Sequence, residues 1–357
     1  HCQGQTGRNR CSVSHSIIKV LLVDDSAVIR GLMTQAINLD AEVKVVGSAM
    51  HGQTALTWLK ANRADVVVLD VEMPVMDGIS CLKQLKQDYP ELPVIMASSL
   101  TRAGAEVTLQ ALDLGAAGCI PKPVATNSAA AIEQVARDLL PLIKALVKKH
   151  STDQSDCSRF KTAVVQRPAK TPMVMVVGSS TGGPNALKTM LTALPEKFSL
   201  PILIAQHMPP LFTRTLAEHI ERETKRPTSE ARDGALIERG HIYIAPGDFH
   251  MVIDKQDDRM IIRLNQDAPE HFCRPSVNPL YASAAKWYGS SVLAVMLTGM
   301  GDDGIEGAES ISERKGYIIA QDEQSSVVWG MPGAIAKAGL ASQVLPLRNI
   351  APELARL

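Results

Sequence analysis

From Lys19 onward, short apolar runs rich in β-branched residues alternate with stretches in which apolar residues recur every three to four positions. The short runs are typical of buried strands, and the three-to-four spacing is typical of amphipathic helices. In the first half the pattern predicts strands over Val20–Asp24, Val43–Ser48, Val66–Asp70, Val94–Ser98 and Gly118–Pro121. It predicts helices over Val28–Asn38, Gln53–Ala61, Ile79–Asp88, Ala105–Leu114 and Ser128–Lys149. Strands that alternate with helices favour a doubly wound α/β domain with a five-stranded parallel sheet.

The same alternation starts again after a polar stretch. Strands are predicted over Met173–Gly178, Pro201–Gln206, His241–Ala245, Val292–Thr298 and Tyr317–Ala320. Two further runs, Met251–Asp254 and Met260–Leu264, are joined by a charged turn and are predicted to form an antiparallel hairpin on an otherwise parallel sheet. The second half is therefore predicted to be another doubly wound α/β domain, mostly parallel, with one antiparallel hairpin.

The chain of 357 residues is long enough for two or three domains with ordinary cores. We predict a first domain at residues 17–149, a linker at 150–171, which is polar and aperiodic, and a second domain at 172–357. Residues 1–16 are polar and lack the apolar core of a signal peptide. We expect them to be a disordered leader outside the fold.

Charge and cysteine usage narrow the classes of partner. Lys+Arg and Asp+Glu both number 37, so the charge balance gives no reason to expect nucleic acid as a partner. No apolar run approaches the length of a membrane span, so no membrane insertion is expected. The six cysteines are scattered, without metal-ligand or disulfide-framework spacing, which favours a cytoplasmic protein.

Polar side chains collect at the carboxyl ends of the predicted strands in the first domain. Asp24 and Asp25 end the first strand, and Asp70 ends the third. Such an edge is where ligands bind in open parallel sheets, and three carboxylates together suit Mg²⁺. Ser98 ends the fourth strand with a hydroxyl, and Lys122 follows the fifth with a positive charge. Together these groups are the parts needed to accept a phosphoryl group on Asp70.

The stretch Leu69–Gly78 closely resembles the corresponding part of two-component receiver domains, and the resemblance covers roughly residues 19 to 149. It implies that Asp70 is the phosphoacceptor, that Mg²⁺ is required for phosphorylation and that a histidine kinase is the donor. The sequence departs from the family at one position. Cys119 stands three residues before the lysine, where receivers usually carry an aromatic switch residue.

The second domain carries three motifs, each placed after an apolar run and before a helical pattern. They are Gly178–Gly183 (GSSTGG), Gln206–Pro209 (QHMP) and Gly299–Gly304 (GMGDDG). The first matches the Gly-x-Ser-x-Gly turn that exposes a serine between a strand and a helix. By itself this match also fits an ordinary strand–helix turn. A phosphate loop is disfavoured because the Gly-Lys-Ser/Thr sequence of such loops is missing.

The three motifs would bring a hydroxyl, an imidazole and a carboxylate to one edge of one sheet. The candidates are Ser180, His207 and either Asp302 or Asp303. This is the chemistry of a serine hydrolase, in which the acid orients the histidine and the histidine activates the serine. The chain order Ser, His, Asp differs from the Ser, Asp, His order of the α/β-hydrolases, so a different fold is expected.

Together with Tyr243–Gly247 (YIAPG) and Arg274–Asn278 (RPSVN), the three motifs closely resemble the catalytic domain of the CheB family of chemotaxis methylesterases. The resemblance implies hydrolysis of glutamyl methyl esters on chemoreceptor helices, and often deamidation of receptor glutamines. It assigns the acid to Asp303 rather than Asp302. It implies an oxyanion hole formed by the backbone N–H groups of Thr181 and Met300, and no cofactor for the esterase site.

Two expectations remain open within this interpretation. Arg274 is either a contact for an acidic receptor helix or part of a structural salt bridge. The linker is long enough to let the receiver fold back over the catalytic edge, and the resemblance implies that it shields this edge until Asp70 is phosphorylated.

Three other functions are alternatives to this one. A receiver joined to a DNA-binding output requires a basic recognition helix, for which the second half has neither a helix-turn-helix pattern nor an excess of Lys and Arg. In the second alternative, the domain is a non-catalytic protein-interaction module, and the three triad residues have only a structural role. A methylesterase could also act on receptors of a pathway other than motility.

Overall fold

The computed structural model of the chain describes residues 17–123, 128–151 and 167–357. The predicted leader lies outside the described residues, and so does most of the predicted linker. Within the described part of the chain, no helix is both long and apolar enough to cross a membrane.

The first domain is a five-stranded sheet with helices between the strands. Its strands are β1 (Ile18–Val23), β2 (Val43–Ala49), β3 (Val66–Asp70), β4 (Val94–Ser98) and β5 (Gly118–Pro121). Its helices are α1 (Ala27–Ile37), α2 (Gly52–Ala61), α3 (Gly78–Asp88), α4 (Arg102–Asp113) and α5 (Ser128–Ser151). All pairings are parallel, in the order β2-β1-β3-β4-β5. The predicted five-stranded parallel domain is confirmed.

The central strands of this sheet are buried on both faces, which explains their continuous apolar sequences. Polar side chains cap the N-termini of the helices that follow these strands. The hydroxyl of Ser26 accepts from the Ile29 N–H at the start of α1, and the Asp77 carboxylate accepts from the Ser80 N–H at the start of α3. The strand ends and helix starts therefore meet at one edge, where the acidic residues lie.

The second domain has seven strands in one sheet. These are β6 (Val174–Ser179), β7 (Ile202–Gln206), β8 (Thr228–Glu230), β9 (Ile242–Ile244), β12 (Val292–Met296), β13 (Tyr317–Gln321) and β14 (Gln343–Leu345). Every pairing in this sheet is parallel, in the order β14-β13-β12-β6-β7-β9-β8. The helices are α6 (Gly183–Thr192), α7 (Phe212–Thr224), α8 (Val277–Tyr288), α9 (Ile305–Glu313), α10 (Met331–Lys337) and α11 (Leu347–Leu354).

The predicted hairpin forms from β10 (His250–Gln256) and β11 (Arg259–Asn265), but it is a separate two-stranded sheet rather than part of the large one. Its position is set by α8, because the Ile253 N–H donates to the Ser283 hydroxyl at 2.9 Å. The two strands of the hairpin are therefore confirmed. The prediction that the hairpin belongs to the large sheet is wrong, because it packs on α8 as a sheet of its own.

The two domains pack against each other. The Lys188 ammonium on α6 lies 3.0 Å from the Asp113 carboxylate at the end of α4, and the Asn185 side chain donates to the Leu112 carbonyl. Val328 belongs to the hydrophobic cluster of the first domain. The first and second domains are therefore joined by both polar and apolar contacts.

Candidate active site

The turn after β6 separates two neighbouring serines. Ser179 is fully buried, and its hydroxyl donates to the Gln206 side-chain oxygen at 2.6 Å. Ser180 is partly exposed at the carboxyl edge of the sheet, and its backbone N–H donates to the Thr298 carbonyl at 3.0 Å. A glycine follows at 183, where a Cβ atom would collide with the Gln206 carboxamide. Burial therefore distinguishes Ser180 as the serine available to a substrate.

His207 follows β7, the strand beside β6, and is oriented by Asp303. Its Nε2 atom lies 2.7 Å from the Asp303 Oδ2 atom. Because a carboxylate only accepts hydrogen bonds, Nε2 carries the proton and Nδ1 is the nitrogen left for a reacting group. In serine proteases the acid usually accepts a hydrogen bond from Nδ1, and Nε2 faces the serine. In this protein the two ring nitrogens have exchanged these roles.

The Nδ1 atom faces a cysteine in this conformation. The Cys273 sulfur lies 3.4 Å from Nδ1, and within the described part of the chain the Ser180 hydroxyl makes no hydrogen bond. Catalytic contacts are often formed only when substrate is bound. For Ser180 to transfer its proton to His207, the serine hydroxyl must replace the thiol at Nδ1.

Asp303 is 1 % exposed and accepts several hydrogen bonds besides that from His207. The Ser276 hydroxyl donates to it at 2.6 Å, and the Val277 N–H at the start of α8 donates at 2.7 Å. Burial by itself raises the pKa of this carboxyl, but His207, Ser276 and the helix N–H groups outweigh burial and lower it. Asp303 is therefore held ionised.

Asp302 is oriented differently from its neighbour. Its side chain is 63 % exposed and lies 2.9 Å from His271 Nδ1. The sequence by itself left either aspartate possible, and the structure brings Asp303 to the histidine.

The pKa of His207 is governed by opposing effects. Burial lowers it, but the hydrogen bonds to Asp303 and Cys273 outweigh burial and raise the pKa to about 10. A histidine that must accept a proton from serine is active only as neutral imidazole. The Cys273 contact therefore has a direct bearing on the fraction of protein that is ready to react.

Two backbone N–H groups lie near the serine without a protein acceptor. Among residues 17–123, 128–151 and 167–357, the N–H groups of Thr181 and Met300 make no backbone or side-chain hydrogen bond. The Thr298 hydroxyl donates to the Thr181 carbonyl at 2.9 Å and holds this turn in place. Both N–H groups are thus free to donate to an external oxygen, as an oxyanion hole requires.

The structure favours the structural alternative for Arg274. Its Nη2 atom lies 2.6 Å from the Asp248 carboxylate, and its Nη1 atom donates to the carbonyls of Gln266 and Asp267 at 3.0 Å each. With these acceptors the guanidinium connects the loops beside the site, and its role as a substrate contact stays a prediction.

In the first domain, the predicted acidic residues lie close together. Asp24, Asp25 and Asp70 each bring a carboxylate oxygen within 4.8 Å of the others. The Lys122 ammonium lies 2.9 Å from Asp24 and 2.7 Å from Asp70. Burial raises the pKa of Asp70 to about 6, against the opposing effect of Lys122. Three oxygen donors at this separation fit Mg²⁺.

The fifth predicted residue of this pocket has a different partner. The Ser98 hydroxyl is buried and donates to the Gly104 carbonyl at 3.1 Å.

Cys119 lies in β5, and burial raises the pKa of its thiol to about 11. The unusual switch position is therefore a neutral, packed thiol.

Sequence reasoning missed Cys273, Ser276 and Gln206 as members of the site. Ser276 lies within the RPSVN motif just before an apolar helix pattern, which is a signal for a helix cap. Gln206 precedes His207, but its buried bonds to Ser179 and to the Ser180 carbonyl depend on the packing of two strands. Cys273 reaches His207 from a loop 66 residues away, for which the sequence contains no local signal.

Comparison with known families agrees with both halves of the fold. The family described as CheB methylesterase matches residues 175–354, and the family described as response regulator receiver domain matches residues 20–133. Both matched ranges fall inside the predicted domains.

Individual relatives match over nearly the whole chain. A protein-glutamate methylesterase/protein-glutamine glutaminase of Rhodospirillum rubrum is 46 % identical, covering 97 % of each chain. One from Azospirillum brasilense is 44 % identical, covering 94 % of this chain and 91 % of its own. The crystal structure of the Thermotoga maritima CheB methylesterase catalytic domain is 38 % identical, with a TM-score of 0.51, over 52 % of this chain and 99 % of that one.

Proposed function

Because the chain belongs to the CheB methylesterase family, we propose that it hydrolyses glutamyl methyl esters on chemoreceptors, and also deamidates receptor glutamines, in response to phosphorylation of its receiver domain. The observation that carries the catalytic part is the 2.7 Å contact between His207 and a buried Asp303, at the edge where Ser180 is partly exposed. The same edge carries two unpaired backbone donors, which a non-catalytic module would not need.

The reaction follows from these positions as an acyl transfer. Ser180 Oγ attacks the ester carbonyl as its proton moves to His207 Nδ1, and the oxyanion is held by the N–H groups of Thr181 and Met300. His207 then returns the proton to the departing methoxide oxygen, and methanol leaves. A water molecule repeats the sequence on the acyl-enzyme and releases the receptor glutamate and Ser180. Asp303 holds the Nε2 proton throughout, which keeps Nδ1 available.

The receiver supplies the regulation in this proposal. Asp70 accepts a phosphoryl group from a histidine kinase, and Asp24, Asp25 and Asp70 would together hold Mg²⁺. The metal would balance the negative charge of the transferring group. Lys122, which bridges Asp24 and Asp70 in the unphosphorylated chain, is placed to pair with the new phosphoryl oxygens.

Contacts between the domains support occlusion as the means of control. Met300, whose N–H is a proposed oxyanion donor, packs against a hydrophobic cluster that includes Ile120 of the receiver and Val328 of the second domain. A Cβ atom added at Gly118 in β5 would lie 3.5 Å from the Thr181 side chain. The proposed oxyanion hole therefore lies beside the interface between the domains, which limits the approach of a receptor helix from that side.

Methanol release from methylated receptor membranes tests the proposal, with acetyl phosphate and Mg²⁺ supplied to the receiver. Ser180→Ala is expected to reduce turnover on the order of 10⁶-fold, because the nucleophile is lost. Ser179→Ala is the matched control. It removes a hydroxyl one residue away that faces Gln206, and it should cost far less. Equal losses in the two variants would contradict the assignment of Ser180.

A further inference from the structure

A tight turn beside the site displays an aromatic side chain to solvent. Glu270 and Cys273 exchange two backbone hydrogen bonds, of 3.2 and 2.8 Å, so that His271 and Phe272 form a two-residue connection. Phe272 is 89 % exposed, although large apolar side chains gain free energy when they leave water. The next residue, Cys273, contacts the catalytic histidine. The turn that carries the exposed ring therefore adjoins the catalytic histidine.

The backbone of this turn is strained for the residues that occupy it. His271 has a φ angle of 47° and Phe272 one of 62°, in the left-handed region that favours glycine. Residues other than glycine in such conformations persist where the surrounding structure holds them, commonly at functional sites. Glycine would be the residue of least strain at position 272, and a phenylalanine stands there instead.

Both sides of the turn are anchored. His271 Nδ1 lies 2.9 Å from Asp302 and its Nε2 lies 3.4 Å from Glu306, and Arg274 is tied to Asp248. These contacts hold the turn without covering Phe272. The ring is thus presented from a fixed position, which limits the conformational entropy lost when a partner covers it.

A second exposed apolar residue in a left-handed conformation lies on the loop that follows His207. Leu211 has a φ angle of 73° and is 48 % exposed. The loop before it, at Pro209 and Pro210, packs on Gly247. Gly247 precedes Asp248, the partner of Arg274. Phe272 and Leu211 therefore belong to one connected rim, which the receiver leaves exposed.

We propose that Phe272, assisted by Leu211, is a substrate-binding residue that contacts an apolar side chain of the receptor helix one turn away from the esterified glutamate. The inference rests on the proposed function, which places that glutamate on a helix. On a helix, residues three or four positions apart lie on the same face, about 5–6 Å from each other. A ring at the rim of the site can thus reach the neighbouring turn while the ester reaches Ser180.

Steady-state methanol release from methylated receptor membranes, with the full phosphorylated chain, measures this contribution. Phe272→Gly should raise KM about tenfold, equivalent to about 1.4 kcal/mol, with kcat changed little. Because glycine relieves the strained backbone, the Tm of this variant should be no lower than that of the wild type. Phe272→Leu should recover part of the loss, and Leu211→Ala should raise KM by a smaller factor. Val344→Ala, at an exposed apolar residue on the far edge strand β14, is the matched control and should change neither constant.

Other outcomes overturn the inference. An unchanged KM in Phe272→Gly, while the wild type is active and Ser180→Ala is not, refutes the contact but leaves the proposed function intact. A wild type that releases no methanol from receptors refutes the proposed function itself. If Phe272→Gly lowers binding to receptor-free lipid vesicles as much as it raises KM, the ring contacts the membrane rather than the receptor helix.

Discussion

Replacement of Cys273 by alanine should make the esterase more active at neutral pH. The sulfur lies 3.4 Å from His207 Nδ1 and helps to raise the pKa of the imidazole, which reaches about 10. At pH values below that pKa, the neutral form of His207 is a minority species, and kcat/KM should rise tenfold for each pH unit. Removal of the thiol lowers the pKa and increases the neutral fraction at every pH in this range.

The size of the effect follows from the cost of one hydrogen bond to a charged group. Such a bond contributes about 1.5–3 kcal/mol, and one pKa unit corresponds to about 1.36 kcal/mol. The pKa of His207 in Cys273→Ala should therefore fall by about one to two units, and kcat/KM near pH 7 should rise about ten- to hundredfold. Cys273→Ser keeps a hydroxyl acceptor at the same position and should fall between the wild type and the alanine variant.

The assay must separate the histidine from the receiver carboxylate. Because burial raises the pKa of Asp70 to about 6, the receiver titrates within the same pH range. Methanol release should therefore be measured from pH 6 to 9 in an Asp70→Asn background without phosphodonor, after subtraction of the Ser180→Ala rate. Cys119→Ala, a thiol in the receiver, is the control and should not move the profile. An unchanged profile in Cys273→Ala, or one displaced to higher pH, would refute the view that the thiol contacts Nδ1 in the active protein.

Two more substitutions test the acid and the domain interface. Asp303→Asn should lower kcat by roughly 10⁴-fold because it allows the wrong His207 tautomer, whereas Asp302→Asn should be mild; the reverse ranking in a methanol-release assay would exclude Asp303 as the acid. Lys188→Glu should raise the unphosphorylated rate about two- to fivefold by weakening the pair with Asp113, as expected for a partly exposed ion pair. The charge-swapped double variant, Lys188→Glu with Asp113→Lys, should restore most of the inhibition of the unphosphorylated chain. A double variant as active as Lys188→Glu would argue against this contact.

Much of the fold could be predicted from the sequence because its central strands are continuous apolar runs. Val66–Asp70 and Val94–Ser98 were predicted with their observed bounds, and both are buried along their whole length. The strands that were missed, Thr228–Glu230 and Gln343–Leu345, have three residues each and lie at the two edges of their sheet. Such short, partly polar segments lack a hydrophobic period, and their pairing depends on the sheet already formed.

The site could be predicted from the sequence where its side chains come directly after predicted strands. Ser180, His207 and the two adjacent aspartates were identified because each follows a predicted strand, and parallel strands end at one edge. The choice between Asp302 and Asp303 depends on burial against α8, which the residues by themselves do not specify. Cys273 could not be predicted, because its contact with His207 joins two loops that only the tertiary structure brings together.

The position of β5 suggests how a receiver without the usual aromatic switch can still control the esterase. Lys122, which binds Asp70, follows this strand directly, and Gly118 at its start packs beside Thr181. A new phosphoryl group on Asp70 would change the pairing of Lys122 and so act on the strand that contacts the proposed oxyanion turn. The signal then passes along four residues of one strand rather than through a rotating ring. This short path is consistent with Cys119 remaining a packed, neutral thiol within β5.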